Sequence, residues 1–243
     1  MIVFGMTDRG CVRPVNEDSF RVFQDESTDT AVIVLCDGMG GRAAGEIASA
    51  LAAESFLDYV REGLQSEAYP EMAQLVKEGC AVANLSVFDR AHREKELTGM
   101  GCTLVAAVVS GDSAVVLNVG DSRCYLLSGA GFQRVSHDHS LVQELVYHGE
   151  ITEEEARSHP RRNIITRAVG TNRLLQSDLF FPALQEGDTL LLCSDGLSEL
   201  VSDSELSELM LAHSEVGELC EKLVTLVLER GAPDNVTVAV LRR

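Results

Sequence analysis

Apolar and polar positions change period along this chain, and the changes mark its elements. Short β-rich runs open it at Ile2 to Thr7 and Ser19 to Phe23. Thr30 to Cys36, TAVIVLC, is apolar at nearly every position, the pattern of a strand buried on both faces. Helical stretches follow at 43–61 and 70–92, with Ile47, Leu51, Phe56 and Tyr59 at helical spacing. Strand patterns return at Leu104 to Val109, Ala114 to Val119 and Cys124 to Leu127, separated by Ser-Gly-Asp and Gly-Asp-Ser turns.

Residues 138–170 break this rhythm with a helical stretch (Leu141 to His148), a short acidic one (Thr152 to Arg157), a His-Pro break and PRRN. They read as a surface excursion over the core. Strands resume at Leu179 to Phe181 and Thr189 to Cys193, helices occupy roughly 203–212 and 215–230, and Val236 to Leu241 closes the pattern. Strands in groups and helices in pairs, without repeats or linkers, predict an α+β layered fold: antiparallel sheets with helices packed outside, one domain over 1–243.

Charge narrows the partners. Twenty Lys and Arg stand against 38 Asp and Glu, a formal net charge of −18, which disfavours nucleic acid and anionic membranes. The seven cysteines are scattered and never form CxxC, so neither a disulfide framework nor a zinc ribbon is indicated. Cys36 and Cys193 end apolar runs, where a reduced cysteine behaves as a small hydrophobe. With too few apolar residues before the first charge for a signal peptide, the expectation is a cytoplasmic protein. The absence of a heptad leans towards a monomer.

Four aspartates carry the candidate chemistry. Asp37 follows TAVIVLC and precedes Gly38, Asp121 follows AVVLNVG, Asp195 follows TLLLCS and precedes Gly196, and Asp234 shortly precedes VTVAV. Taken singly, each is a turn former after or before a strand. Gathered at one end of one core, they would crowd carboxylates into a partly dry site, which is costly unless cations neutralise them. Oxygen ligands without nearby histidine or cysteine select hard ions, Mg²⁺ or Mn²⁺, and two such ions can clamp an in-line displacement at phosphorus. In RPVNEDSF, the Arg13 guanidinium can grip two phosphate oxygens, or pair with Glu17 on the surface. Glu17 and Asp18 can hold metal-bound waters.

The ordered segments TDRGCVRPVNEDSF (7–20), DGMGGRAAGEIAS (37–49), GMGCTL (99–104), VGDSRCYLL (119–127), the stretch 138–170, CSDGL (193–197) and APDNVTV (232–238) resemble the motif series of the type 2C, metal-dependent (PPM) protein serine/threonine phosphatases, in particular small bacterial members. The resemblance spans nearly the whole chain. It implies a four-layer αββα sandwich with two central antiparallel sheets, flanked by helix pairs, and attack of a metal-bridging water on phosphoserine or phosphothreonine. By position, Asp37 would bridge two ions with the Gly38 carbonyl on one, and Asp195 and Asp234 would hold the other. Glu17 and Asp18 would act through water, Arg13 would bind phosphate, and Asn235 would support the site. Asp121 with Asp195 would hold a third ion, and 138–170 would form a flap. Phosphorylated proteins, a cognate Ser/Thr kinase among them, are the implied partners.

Met39 departs from the many eukaryotic members that carry a histidine after the DG pair, proposed there as the general acid. Its duty is expected to pass to a metal-bound water at the Asp121 site. Two rival readings remain. Cys36 to Arg42 fits the Cx₅R spacing of cysteine-dependent phosphatases, although Asp37 beside Cys36 opposes the electropositive setting a thiolate needs. A catalytically silent module of the same fold is the other, although every acidic ligand is retained. The histidines show no ligand spacing, and His137 and His139 are expected to be hydrogen-bonded in a turn around Asp138. Arg161, Arg162 and Arg167 are expected to pair with Glu153 to Glu155 or, alternatively, to attract phosphorylated segments.

Overall fold

The run Thr30–Met39 lies between two hydrophobic layers: Ala31, Ile33 and Leu35 pack into one, and Val32, Val34 and Cys36 into another. That is the structural meaning of TAVIVLC, since alternate side chains of a strand leave opposite faces of its sheet. The computed structural model describes residues 1–39, 44–66 and 71–243. These form strands β1 (Ile2–Asp8), β2 (Asp18–Asp25), β3 (Thr30–Met39), β4 (Gly101–Cys102), β5 (Leu104–Ser110), β6 (Ser113–Val119), β7 (Arg123–Ser128), β8 (Gly131–Arg134), β9 (Asp178–Phe180), β10 (Thr189–Cys193) and β11 (Val236–Arg242). The helices are α1 (Gly45–Leu64), α2 (Met72–Arg93), α3 (Leu141–Tyr147), α4 (Glu153–Ser158), α5 (Asp195–Ser198), α6 (Asp203–Ala212) and α7 (Val216–Glu229).

The strands make two antiparallel sheets, ordered β1-β11-β10-β7-β8 and β2-β3-β5-β6-β9, with β4 attached to β3. Three apolar layers hold them together. The middle one joins the sheets through Ile33, Leu35, Val105, Leu190, Leu192 and Leu241. One outer layer packs α1 and α2 on the second sheet through Phe56, Val60, Leu75 and Val87, and the other packs α6 and α7 on the first through Leu206, Leu219, Leu223 and Val227. Each fully buried side chain of this size contributes about 1.5–3 kcal/mol. The expected αββα sandwich is therefore present.

Differences from expectation are short elements. β4, β8, the one-turn α5 and a 3₁₀ turn at Lys95–Leu97 carry too few residues for a period to show. Among the described residues, no helix is long and apolar enough to cross a membrane.

Candidate metal centre

Antiparallel pairing brings the acidic strand ends together. Asp18, first residue of β2, stands opposite Asp37 near the end of β3. The adjoining Gly38 N–H donates to Glu17 O (3.1 Å). In the other sheet, Ser194 N–H donates to Thr237 O (3.0 Å), so Asp195, two residues past β10, and Asp234, two residues before β11, leave the sheet at the same end. Asp121 enters from the turn between β6 and β7. Gly38 is sterically required: a Cβ there would meet Gly45 O at 2.2 Å and Glu17 O at 2.5 Å.

The electrostatics show how closely these carboxyls crowd. Burial, then the charges of Asp18, Asp195, Asp121 and Asp234, hold the Asp37 carboxyl well above the usual carboxylate range. Burial, then Asp121 and Asp234, does the same for Asp195. Asp18 is pushed up to about 6 by burial, against the lowering effect of hydrogen bonds from Thr237 and Ser194. Asp121 is likewise pushed up to about 6, by burial and then by Asp138. Glu17 is raised by burial and by Glu46.

Two carboxylate oxygens in this group, Asp18 Oδ1 and Asp195 Oδ1, are buried with no hydrogen-bond partner among the described residues. A buried acceptor of that kind is expensive unless a donor or cation meets it. The donor set is all oxygen, which fits Mg²⁺ or Mn²⁺. Among the described residues no three Asp, Glu, His or Cys side chains close on one point as a complete cage. That also fits such ions, which keep several waters and take one or two carboxylates each.

Around the acids, hydroxyl and amide groups fix their positions. Asp18 Oδ2 accepts from Ser194 Oγ (2.9 Å) and Thr237 Oγ1 (2.7 Å). With the Thr237 hydroxyl proton committed to Asp18, Thr7 Oγ1 donates to Thr237 Oγ1 (2.6 Å) and accepts from Asn16 Nδ2 (2.8 Å). Asn235 Oδ1 accepts from Glu17 N–H (2.8 Å), and its Nδ2 donates to Arg9 O (2.8 Å) and Val15 O (3.0 Å), clamping the 9–17 loop to β11. Thr103 Oγ1 accepts from Asp37 N–H (2.9 Å) and meets Ser122 Oγ (2.8 Å). None of Thr103, Ser194 and Thr237 stands out in the sequence, because a lone hydroxyl in or beside a strand reads as ordinary β composition.

Arg13 reaches the centre, but not through Glu17: its Nη2 donates to Asp234 Oδ2 (2.6 Å). A cleft of about 810 Å³ opens beside the acids, lined by Asp121 and Asp195, by Gln143, Glu153, Arg157 and Arg162 of the 138–170 segment, and by Glu199 to Asp203. Its wall carries Asp138, gripped by Arg123 (Nη2 to Oδ2, 2.8 Å) and by Arg134. Two of the three flap arginines find partners other than Glu153 to Glu155. Arg162 pairs with Glu199 (3.5 Å) and Arg167 with Asp178 (2.8 Å), while Glu155 is engaged with Thr152 in the capping box of α4. Cys36 is fully buried, and burial followed by Cys102 raises its thiol well above the ordinary range, the opposite of an activated thiolate. Arg42, the other half of the Cx₅R spacing, lies outside the described residues.

The protein phosphatase 2C family model matches residues 13–227, nearly the whole fold. The chain belongs to the protein phosphatase 2C family. A serine/threonine phosphatase stp of Listeria monocytogenes is 39% identical to this 2C chain over 237 residues, covering 98% of it and 94% of the relative. The Mycobacterium tuberculosis serine/threonine phosphatase PstP/Ppp superposes with a TM-score of 0.87 at 38% identity, covering 98% of this chain and 97% of that one. A PstP catalytic domain solved in complex with two manganese ions superposes with a TM-score of 0.84 at 36% identity, covering 98% and 96%. Membership of the 2C family removes the cysteine-dependent alternative.

Proposed function

We propose that this 2C-family chain is a metal-dependent protein phosphatase that hydrolyses phosphoserine and phosphothreonine, with its centre built from Asp37, Asp195 and Asp234. The carrying observation is the pair of buried carboxylate oxygens on Asp18 and Asp195, partnerless among the described residues, inside a crowd of acids that cations would neutralise. Two Mn²⁺ or Mg²⁺ ions would supply that neutralisation and an activated water for attack on phosphorus. Asp37 would bridge them with the Gly38 carbonyl beside it, Asp195 and Asp234 would hold the second, and Asp121 with Asp195 a third. Glu17 and Asp18 would orient bound waters, and Asn235 would keep Glu17 in place through its backbone.

Arg13, half exposed at the rim, would exchange Asp234 for phosphate oxygens when substrate enters. Met39 has no proton to give the leaving alkoxide and does not line the cleft, whereas Asp121 does, so protonation is assigned to the Asp121 side. The 138–170 segment would serve as a flap over the cleft. Phosphorylated proteins are the substrates in this reading, a cognate Ser/Thr kinase among them, and the enzyme works as a cytoplasmic monomer within a single domain, where its seven free cysteines stay reduced.

Hydrolysis of para-nitrophenyl phosphate and of a phosphothreonine peptide, with Mn²⁺ or with chelator, tests this. Turnover with Mn²⁺ and none with chelator is expected, with Cys36→Ser fully active. Turnover that survives chelation, or Mn²⁺ binding by calorimetry without turnover, would overturn it.

A further inference from the structure

Asp121 is held by its neighbours more than by itself. On one side Ser122 Oγ meets Thr103 Oγ1 (2.8 Å). On the other, the Gly120 peptide is clamped from both ends: its N–H donates to His139 Nδ1 (3.1 Å), and its carbonyl accepts from His139 N–H (2.8 Å) and Asn118 Nδ2 (3.1 Å). Gly120 has φ +103°, and a Cβ there would meet Thr103 Cγ2 at 2.6 Å. The turn therefore has little freedom of its own.

His139 belongs to the first stem of the 138–170 segment and also reaches the second. Its carbonyl accepts from Thr166 N–H (2.8 Å), and Ser140 bridges to Ile165. Because Nδ1 accepts from Gly120, the neutral ring carries its proton on Nε2, which lies 3.2 Å from its acceptor Asp178 Oδ2 and 3.1 Å from Arg167 Nη1. Asp178 Oδ1 in turn takes Arg167 Nη1 (2.8 Å) from the second stem. His139 is buried, and that burial holds its pKa below the ordinary histidine value, so the neutral ring persists at neutral pH.

We propose that His139 is a positioning residue for Asp121: its neutral imidazole locks the Gly120 peptide and makes the Asp121 turn one mechanical unit with both stems of the flap. A side chain that merely filled the core would not need to meet Gly120 through both its ring and its backbone. The consequence is that flap placement and cation loading at Asp121 are linked. The inference rests on the reading of Asp121 as a ligand.

Two substitutions separate the two ring nitrogens. In His139→Asn the side-chain oxygen replaces Nδ1 as acceptor for Gly120, and in His139→Gln the amide replaces Nε2 towards Asp178 while Gly120 loses its acceptor. The expected result is faster amide exchange at Gly120 in metal-free His139→Gln. The Mn²⁺ concentration for half-maximal turnover should rise roughly 10–100-fold in that variant, the scale typical of an outer-sphere partner, with phosphopeptide KM within about twofold. His139→Asn should restore both readouts. Equal behaviour of the two variants, or unchanged Gly120 exchange in His139→Gln, would overturn the inference. Should either variant fail to fold, the ring ¹⁵N resonances of the native protein decide: protonated Nδ1 refutes it, and unprotonated Nδ1 coupled to the Gly120 amide supports it. An inactive native enzyme would sink the phosphatase reading while leaving these spectroscopic readouts intact.

Discussion

Asp18 and Asp37 stand directly opposite each other across the β2–β3 ladder, a buried and a half-buried carboxyl on paired strands. Like charges so placed oppose folding unless one is protonated or a cation lies between them. Asp37→Asn therefore removes repulsion as well as a ligand. In chelator, its melting temperature should exceed that of the native protein. In Mn²⁺, phosphopeptide turnover should fall by more than about 100-fold, beyond the range of an outer-sphere change. Unchanged turnover would exclude Asp37 from the centre.

The raised carboxyls set a pH dependence with a definite sign. Asp18 and Asp121 sit at about 6 against an ordinary value of 3.8. In the native state they bind protons that the unfolded chain has already released. Their contribution is complete below about pH 4 and is lost as pH rises through 6. The metal-stripped protein should thus lose melting temperature between pH 5 and 7. Mn²⁺ competes with those protons, so its stabilising effect should grow over the same interval. Calorimetric melting at pH 5, 6 and 7, with and without Mn²⁺, checks this, and a metal effect independent of pH would contradict it.

Thr237 supports Asp18 from 219 residues away in sequence. Thr237→Val deletes a buried donor to a carboxylate, an interaction contributing roughly 1.5–3 kcal/mol. Denaturant unfolding in chelator should show a loss of that order, and the Mn²⁺ needed for half-maximal turnover should rise about tenfold or more. A stability loss with no change in Mn²⁺ requirement would leave Thr237 as a strand residue only.

Asp37, Asp121, Asp195 and Asp234 were legible because each punctuates a strand at a turn, and the strands themselves were legible from unbroken apolar runs. Ser194, Thr103 and Thr237 were not, since their importance lies in cross-sheet neighbours and not in any local period. His139 showed itself as a turn histidine beside Asp138, but its contacts with Gly120 and Asp178 arise only when β6, β9 and the flap stems meet. Charge complementarity misled at the flap: Arg162 and Arg167 lie close in sequence to Glu153 to Glu155, yet the fold delivers Glu199 and Asp178 to them instead. The short β4 and β8 were invisible for want of length.

Arg13 gives the remaining prediction. Its ion pair with Asp234 is partly exposed, with side-chain exposures of 48% and 34%, and such pairs contribute about 0–1 kcal/mol. Arg13→Lys should therefore melt within a degree or two of the native protein. Lysine is a point charge without the planar fork that takes two phosphate oxygens at once. KM for a phosphothreonine peptide should rise severalfold, and inorganic phosphate should inhibit less, while the Mn²⁺ requirement stays unchanged. A shift in Mn²⁺ requirement with constant KM would reassign Arg13 from gripping phosphate to holding Asp234 in place.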